Sequence, residues 1–470
     1  MTSADLFDGV RDFIRKELAQ RPVPSIAVAV VRDGGIVWEE GFDWADLENQ
    51  VPAGPRTAYS LASISKPITA TGLMAMAQSG QIDLDRPVND YLGAAKLTAR
   101  MGDGRKATVR TVADHSSGLP LHYQFFYDDD PWRRPPMDET IRRYGNLVTP
   151  PGERFAYSNL GYGVLDHVMS RQSGEDFAAY MRREVFQPLG MTHSSVGIAP
   201  ETRPFVATRY GVDGEPIPYY GTDHPGASEV WGSVHDLALF ALFHLKARLA
   251  DQTPILSDAS IDAMHRGTSK AGPDAAYGLG FFVETLNGHH RVSHSGGMGG
   301  VATLLQIFPD LGIATAVAAN ASNSLPFEVS ERIVAAMVPD WPIAPVVTPV
   351  RAPPFAPPPV LVGTWIGTLT TYARTLPVEL TIRPDGEVEA RFGEQATRQV
   401  KHARIEDGAF RGEFRATIGT DDTERYVPYY TQLSLRNGPE GLTGVATAIG
   451  DDGPRVRNAL SHWLELRPRS

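Results

Sequence analysis

A serine hydroxyl becomes a nucleophile only when a nearby base takes its proton. Ser63-Ile64-Ser65-Lys66 offers such a pair. Residues three apart share one face of a helix. A helix opening here would set the Ser63 hydroxyl and the Lys66 amine one turn apart. A lysine acts as a base only if burial or nearby positive charge lowers its pKa. The positive end of the same helix favours an oxyanion developing at the serine. Pro67 falls in the first turn, where proline disrupts least. Only 7 of the 44 basic residues are lysine, and none of the other six has a serine three positions before it. The bland alternative is a capping serine beside a surface lysine.

A second candidate is Tyr157-Ser158-Asn159, within PPGERFAYSNLGYG. A phenol beside a cation can shuttle a proton, and an asparagine amide can hold a lysine or a substrate carbonyl. Tyr144-Gly145-Asn146 has the same spacing. Tyr157 is preferred because Pro150, Pro151, Gly152 and Gly161 set it in a sharply turned loop. A third candidate is His294-Ser295-Gly296-Gly297, followed by Met298-Gly299-Gly300 and the strand-like VATLLQIF. Four glycines in five positions let backbone approach a ligand closely. A free strand amide there could join the Ser63 amide in an oxyanion hole. His294 reads equally as a structural histidine in a hairpin. The other histidines show no ligand spacing, so no metal and no cofactor are expected. Asp128-Asp129-Asp130 reads as a solvated loop, or as a receiver for a substrate ammonium group.

These residues need elements to hold them. Leu6, Phe7, Val10, Ile14 and Leu18 recur at helical spacing. SIAVAVVR, an Asp33-Gly34-Gly35 turn and IVWEEGF make a β-hairpin. Residues 301–308 and 313–319 flank a second turn, and a helical pattern covers 327–338. Between these ends the pattern is mostly helix and loop. The body is therefore expected to be α/β: an antiparallel sheet closed by both termini and flanked by helices, with an all-helical subdomain. Nine prolines fall within residues 339–359. Proline lacks the amide donor and fixes φ, so the stretch reads as an extended linker. Beyond it, seven short alternating segments from GTWIGTL to HWLELRP read as a small antiparallel barrel. The expected domains are residues 1–338, a linker at 339–360 and a separate all-β barrel at 361–470.

Composition narrows the functions. The chain has 470 residues and no cysteine. Disulfides, thiolate metal sites and a cysteine nucleophile are excluded. A net charge of −11 argues against a nucleic-acid partner. From residue 361 onward there are 14 basic and 15 acidic residues, so nearly all that charge sits in the body. No apolar run reaches the roughly 18 residues a membrane span needs, and the first twenty do not read as a signal peptide. A cytoplasmic protein with no membrane partner is expected.

Together the three candidates resemble the serine β-lactamase and penicillin-binding-protein superfamily, whose signature is S-x-x-K, Y-x-N and K-T-G or H-T-G. DHSSGLP at 114–120, QPLGMTHSS at 187–195 and YGLGF at 277–281 are similar to landmarks of its branch with class C β-lactamases, D-aminopeptidases and family VIII esterases. The resemblance covers about residues 10–338. It implies Ser63 as nucleophile, Lys66 as its base and Tyr157 as the proton carrier to the leaving group. It implies substrate-binding positions at Asn159, His294, Ser295, Gly296 and Gly297. Many relatives have lysine where this chain has His294, a departure that weakens a β-lactamase reading. The implied activity is serine hydrolysis of amide or peptide bonds in substrates with D-configured residues, with ester hydrolysis as a side activity. An esterase, an acyltransferase that cyclises peptides, and a β-lactam receptor without turnover are the alternatives. The tail resembles the lipocalin-like barrel of some relatives, where it would pack, dimerise or roof the cleft. A small-molecule or peptide substrate and a homo-oligomer are the partners expected.

Overall fold

The structure is a computed structural model of the 470-residue chain. It describes residues 6–247, 249–343, 353–425, 429–450, 455 and 458–469. The middle of the proline-rich linker, residues 344–352, lies outside the described residues.

Helix α1 (Asp8–Leu18) buries Val10, Ile14 and Leu18 along one stripe. Strands β1 (Ser25–Arg32) and β2 (Gly35–Asp46) form the expected hairpin. Asp33 and Gly34 both take positive φ, the backbone that an Asp-Gly turn supplies. β3 (Val51–Pro52) and β4 (Tyr59–Ser60) lead to helix α2 (Ser65–Gln78). Within the mostly helical insertion lie α3 (Asn159–Ser173), the short α4 (Pro225–Ser228), β5 (Val230–Gly232) and α5 (Val234–His244). The chain then returns to the sheet through β6 (Ser269–Lys270), β7 (Ala275–Tyr277), β8 (Phe282–Leu286), β9 (His289–Met298), β10 (Val301–Phe308) and β11 (Ile313–Ala319). Helix α6 (Leu325–Met337) follows.

These strands form one antiparallel sheet in the order β6-β7-β8-β9-β10-β11-β1-β2-β3. The expected closure by both ends of the body is present, with Ile26 opposite Ala319 and Arg32 opposite Ile313. A strand covered on both faces needs no polar alternation, and β1 has almost none. Ile26, Val28 and Val30 pack with α1 and α6. Ala27, Ala29 and Val31 face the inner helices. Those small inner residues allow α5 to lie close against the sheet centre.

Residues from Gly363 onward form a nearly closed antiparallel barrel: β12 (Gly363–Thr370), β13 (Thr375–Ile382), β14 (Val388–Phe392), β15 (Arg398–Gln399), β16 (Lys401–Glu406), β17 (Ala409–Phe414), β18 (Tyr429–Gly438), β19 (Gly441–Gly450) and β20 (Ala459–Pro468). Seven strands were expected, and the structure has nine among the described residues. The two extra ones are the charged, exposed edges β15 and β16. An edge strand with neither face buried carries no apolar alternation to read.

The barrel is bonded to the body. Tyr123 and Ala459 exchange two backbone hydrogen bonds of 3.0 and 2.9 Å. Met101, Val148, Val445 and Trp463 share an apolar cluster. The buried Asp422 accepts from Arg143, Tyr144 and Tyr372 at 2.9, 2.7 and 3.1 Å. Asp129, in an exposed loop as expected, also takes both ends of the Arg455 guanidinium at 2.9 and 2.6 Å. Tyr144 of the second Tyr-x-Asn is thus a barrel contact. Asp422→Ala removes the acceptor shared by two phenols and one end of the Arg143 guanidinium. It is expected to lower stability by about 3 kcal/mol, read as a shift in the urea midpoint at unchanged slope.

Candidate active site

Ser63 sits where a strand turns sharply into a helix. Leu61 donates its amide to the Val230 carbonyl at 2.9 Å, continuing the pairing of β4 with β5. Ala62 then takes φ 47, unusual for a residue with a side chain. A single 3-10 turn, Ala62–Ile64, passes into α2. The α2 residues from Ser65 to Met74 are all buried, and so are residues 57–62. Ser63 is the one residue in this run that reaches the surface.

Lys66 lies one turn on with no exposed surface. Its Nζ is 3.1 Å from Ser63 Oγ, 2.8 Å from Asn159 Oδ1 and 3.1 Å from the Ala227 carbonyl. All three groups are neutral. Burial therefore holds the Lys66 pKa well below that of an ordinary lysine. A neutral amine has two hydrogens and one lone pair. The Asn159 and Ala227 oxygens can only accept, so they take both hydrogens. The lone pair is left for the Ser63 hydroxyl.

Asn159 opens α3, whose N-cap Ser158 accepts from the Gly161 amide at 3.2 Å. Tyr157 precedes the cap and lies over Lys66, with Nζ 4.7 Å from its ring centroid. Its hydroxyl is hydrogen-bonded to Ser63, which favours the phenolate, but burial outweighs that and raises its pKa. The phenol stays protonated at neutral pH.

His294, Ser295, Gly296 and Gly297 lie on β9, beside this group. The ring of His294 is 6.2 Å from that of Tyr157. Its Nδ1 donates to the Ser295 carbonyl at 2.7 Å, and its Nε2 is 3.1 Å from the Tyr277 hydroxyl. Burial pushes its pKa down to about 3. The ring is thus neutral and held on both nitrogens. Gly296 lies against the turn before Ser63, where a Cβ would come within 2.2 Å of the Leu61 carbonyl. Gly297 has open space at its Cβ position. Pairing with β8 stops at Ser293, whereas pairing with β10 runs on to Met298. One edge of Ser295, Gly296 and Gly297 is therefore free of strand partners.

The candidates from all three stretches thus meet in one place. Three further contributors went unread in the sequence. The Ala227 carbonyl has no side-chain signature. His115 was one of many scattered histidines, though it lies within DHSSGLP. Its ring is 4.4 Å from that of Tyr157, and its Nδ1 accepts from the Ser158 amide at 3.2 Å. Tyr277, within YGLGF, is the partner of His294. Among the described residues no group of three or more histidine, aspartate or glutamate side chains could hold a metal ion. No helix there is long and apolar enough to cross a membrane.

The sequence profile of the Beta-lactamase family matches residues 10–338. The unguisins hydrolase ungD' of Aspergillus campestris is 27% identical over 333 residues, covering 67% of this chain and 61% of that protein. The chain spans about three-fifths of the length of the curated relatives it matches. Among solved structures, SurE aligns with a TM-score of 0.68 and 23% identity over 99% of this chain and 100% of its own. The octameric penicillin-binding protein homologue from Pyrococcus abyssi aligns with a TM-score of 0.62 and 24% identity, over 96% of this chain and 99% of its own. Both alignments run through the barrel as well as the body.

A lysine with a depressed folded pKa binds fewer protons folded than unfolded between its two pKa values. Stability there must rise with pH until the unfolded pKa of about 10.4 is reached. The stability of the wild type relative to Lys66→Met should therefore grow between neutral pH and about 10, as measured by paired urea melts. A difference that stays flat would mean that Lys66 titrates normally.

Proposed function

The chain belongs to the beta-lactamase family of serine hydrolases, and on that footing we propose that it forms an acyl-enzyme on Ser63 and cleaves amide or peptide bonds. The observation that carries this reading is the fully buried Lys66 amine, 3.1 Å from Ser63 Oγ and otherwise held by two oxygens that can only accept, with no counter-charge among its bonded partners. In the proposed reaction Lys66 takes the Ser63 proton as Oγ attacks the substrate carbonyl. The carbonyl electrons move onto oxygen, where the Ser63 and Gly297 amides would stabilise them. Tyr157 passes its proton to the departing nitrogen and is reprotonated from Lys66. Water then repeats the sequence in reverse to release the acid.

The free edge of Ser295, Gly296 and Gly297 suits an extended peptide backbone, added as a short strand. The neutral, internally bonded His294 offers no cation to an antibiotic carboxylate. Both features favour peptide-like substrates over β-lactams. SurE has also been solved with D-Leu, which supports D-configured residues in the substrate. Esters are expected as a side activity, because an ester needs less help at the leaving group. The second reading is transfer of the acyl group to an amine in place of water. We further propose that the body (1–338) and barrel (361–470) are distinct domains joined by the linker. Assembly into a homo-oligomer, as in the octameric homologue, and a cytoplasmic location belong to the same proposal.

The test compares kcat/KM for a D-alanyl anilide and a short-chain nitrophenyl ester, in wild type and Ser63→Ala. Turnover of both, with losses of about 1000-fold or more in Ser63→Ala, is the expected result. Ester turnover alone would favour the transferase reading, with amines then offered as acceptors. Full activity in Ser63→Ala would overturn the site.

A further inference from the structure

A continuous line of buried contacts runs from the barrel to Lys66. The Ala227 carbonyl that holds Nζ belongs to α4. This turn has little freedom. Its Gly226 amide donates to Asp166 Oδ2 at 2.7 Å, and its Gly226 carbonyl accepts from Thr69 Oγ1 at 2.8 Å. A Cβ on Gly226 would come within 2.9 Å of the Tyr162 carbonyl. Immediately before the turn, His224 places Nδ1 2.7 Å from Asp223 Oδ1. The other oxygen of Asp223 is 2.8 Å from His122 Nε2. All three side chains are at most 2% exposed. One carboxylate thus clamps two imidazoles from different parts of the chain.

His122 continues the line outward. Its ring lies 4.5 Å from that of Tyr144, and Tyr144 donates to Asp422 of the barrel. The ring of His462, on the barrel strand β20, lies 5.7 Å from Tyr144 on another side. Despite burial, which opposes it, the charge and hydrogen bonds of His122 and His224 hold the Asp223 carboxyl below the usual carboxylate range. Asp166 and Lys66 are titratable groups on the inner side of this cluster. Nothing in the proposed chemistry requires Asp223 to touch substrate.

We infer that Asp223 is a positioning residue for Lys66: it clamps His122 and His224, thereby fixing the turn that presents the Ala227 carbonyl, and through Tyr144 it links that turn to the seating of the barrel. This inference rests on the reading of Lys66 as the base of Ser63. On this view the barrel contributes to the acylation step itself. A loosened clamp moves an acceptor away from Nζ, so the basicity of Lys66 changes while the substrate contacts at β9 stay in place.

The experiment uses the full chain with ¹³Cε-labelled lysine. Only seven lysine signals are present, and the Lys66 signal is assigned by its absence in Lys66→Met. Its titration is followed directly, so the readout needs no turnover. Asp223→Asn and Tyr144→Phe are each expected to move the Lys66 midpoint by about half a pH unit or more. Each should also lower kcat by about tenfold, with KM within about threefold. Asp129→Asn cuts only the exposed Arg455 contact and should match wild type. If Asp223→Asn does not fold, His122→Asn and Tyr144→Phe carry the test. An unchanged Lys66 titration in the folded variants, with kcat within twofold of wild type, overturns the inference. If Lys66 titrates as an ordinary lysine in the wild type, the reading of the base fails instead, and the two failures are distinct.

Discussion

Removing an ammonium group from water costs several kcal/mol unless a counter-charge compensates. Lys66 is fully removed from water, and the groups around its amine are an amide oxygen, a main-chain carbonyl and a hydroxyl. The affordable state is the neutral amine. Much of the architecture can be read as what this one choice requires. The α2 helix is buried from Ser65 to Met74, and Lys66 is its only charged residue. The Tyr157 loop must be held down, which His115 and the Ser158 cap accomplish. The Ala227 turn must be held in place, and a glycine packed against Tyr162 and Asp166 does part of that.

The chemistry-bearing pairs were legible because they are local. Ser63 and Lys66 are one helical turn apart, and Tyr157 and Asn159 straddle a helix cap. The sheet was legible from its ends, since both hairpin turns carry Asp or Gly at the positions that need them. The third side of the Lys66 pocket was not. A carbonyl at Ala227 looks like any other carbonyl until the fold brings it within 3.1 Å of Nζ. The two edge strands of the barrel escaped for a related reason. Their residues face solvent, so burial never wrote a pattern into them.

Asp128-Asp129-Asp130 is an exposed loop and Tyr144 lies apart from Lys66, as read, but both stretches also meet the barrel, which the sequence did not show. Contacts between residues about 280 to 330 positions apart, such as Tyr144 with Asp422 and Asp129 with Arg455, leave no periodic trace. The first of them brings the barrel against the polar cluster beside α4, the turn that presents Ala227.

The central claim is that a neutral Lys66 draws the proton from Ser63. The most direct measurement is the single-turnover rate of Ser63 acylation by a nitrophenyl ester, followed by intact mass from about pH 5 to 10. The account predicts a rate that levels off well below the ordinary lysine pKa of about 10.4, with the added mass lost in Ser63→Ala. A rate still climbing toward that value, or an acyl group carried elsewhere than Ser63, would contradict it.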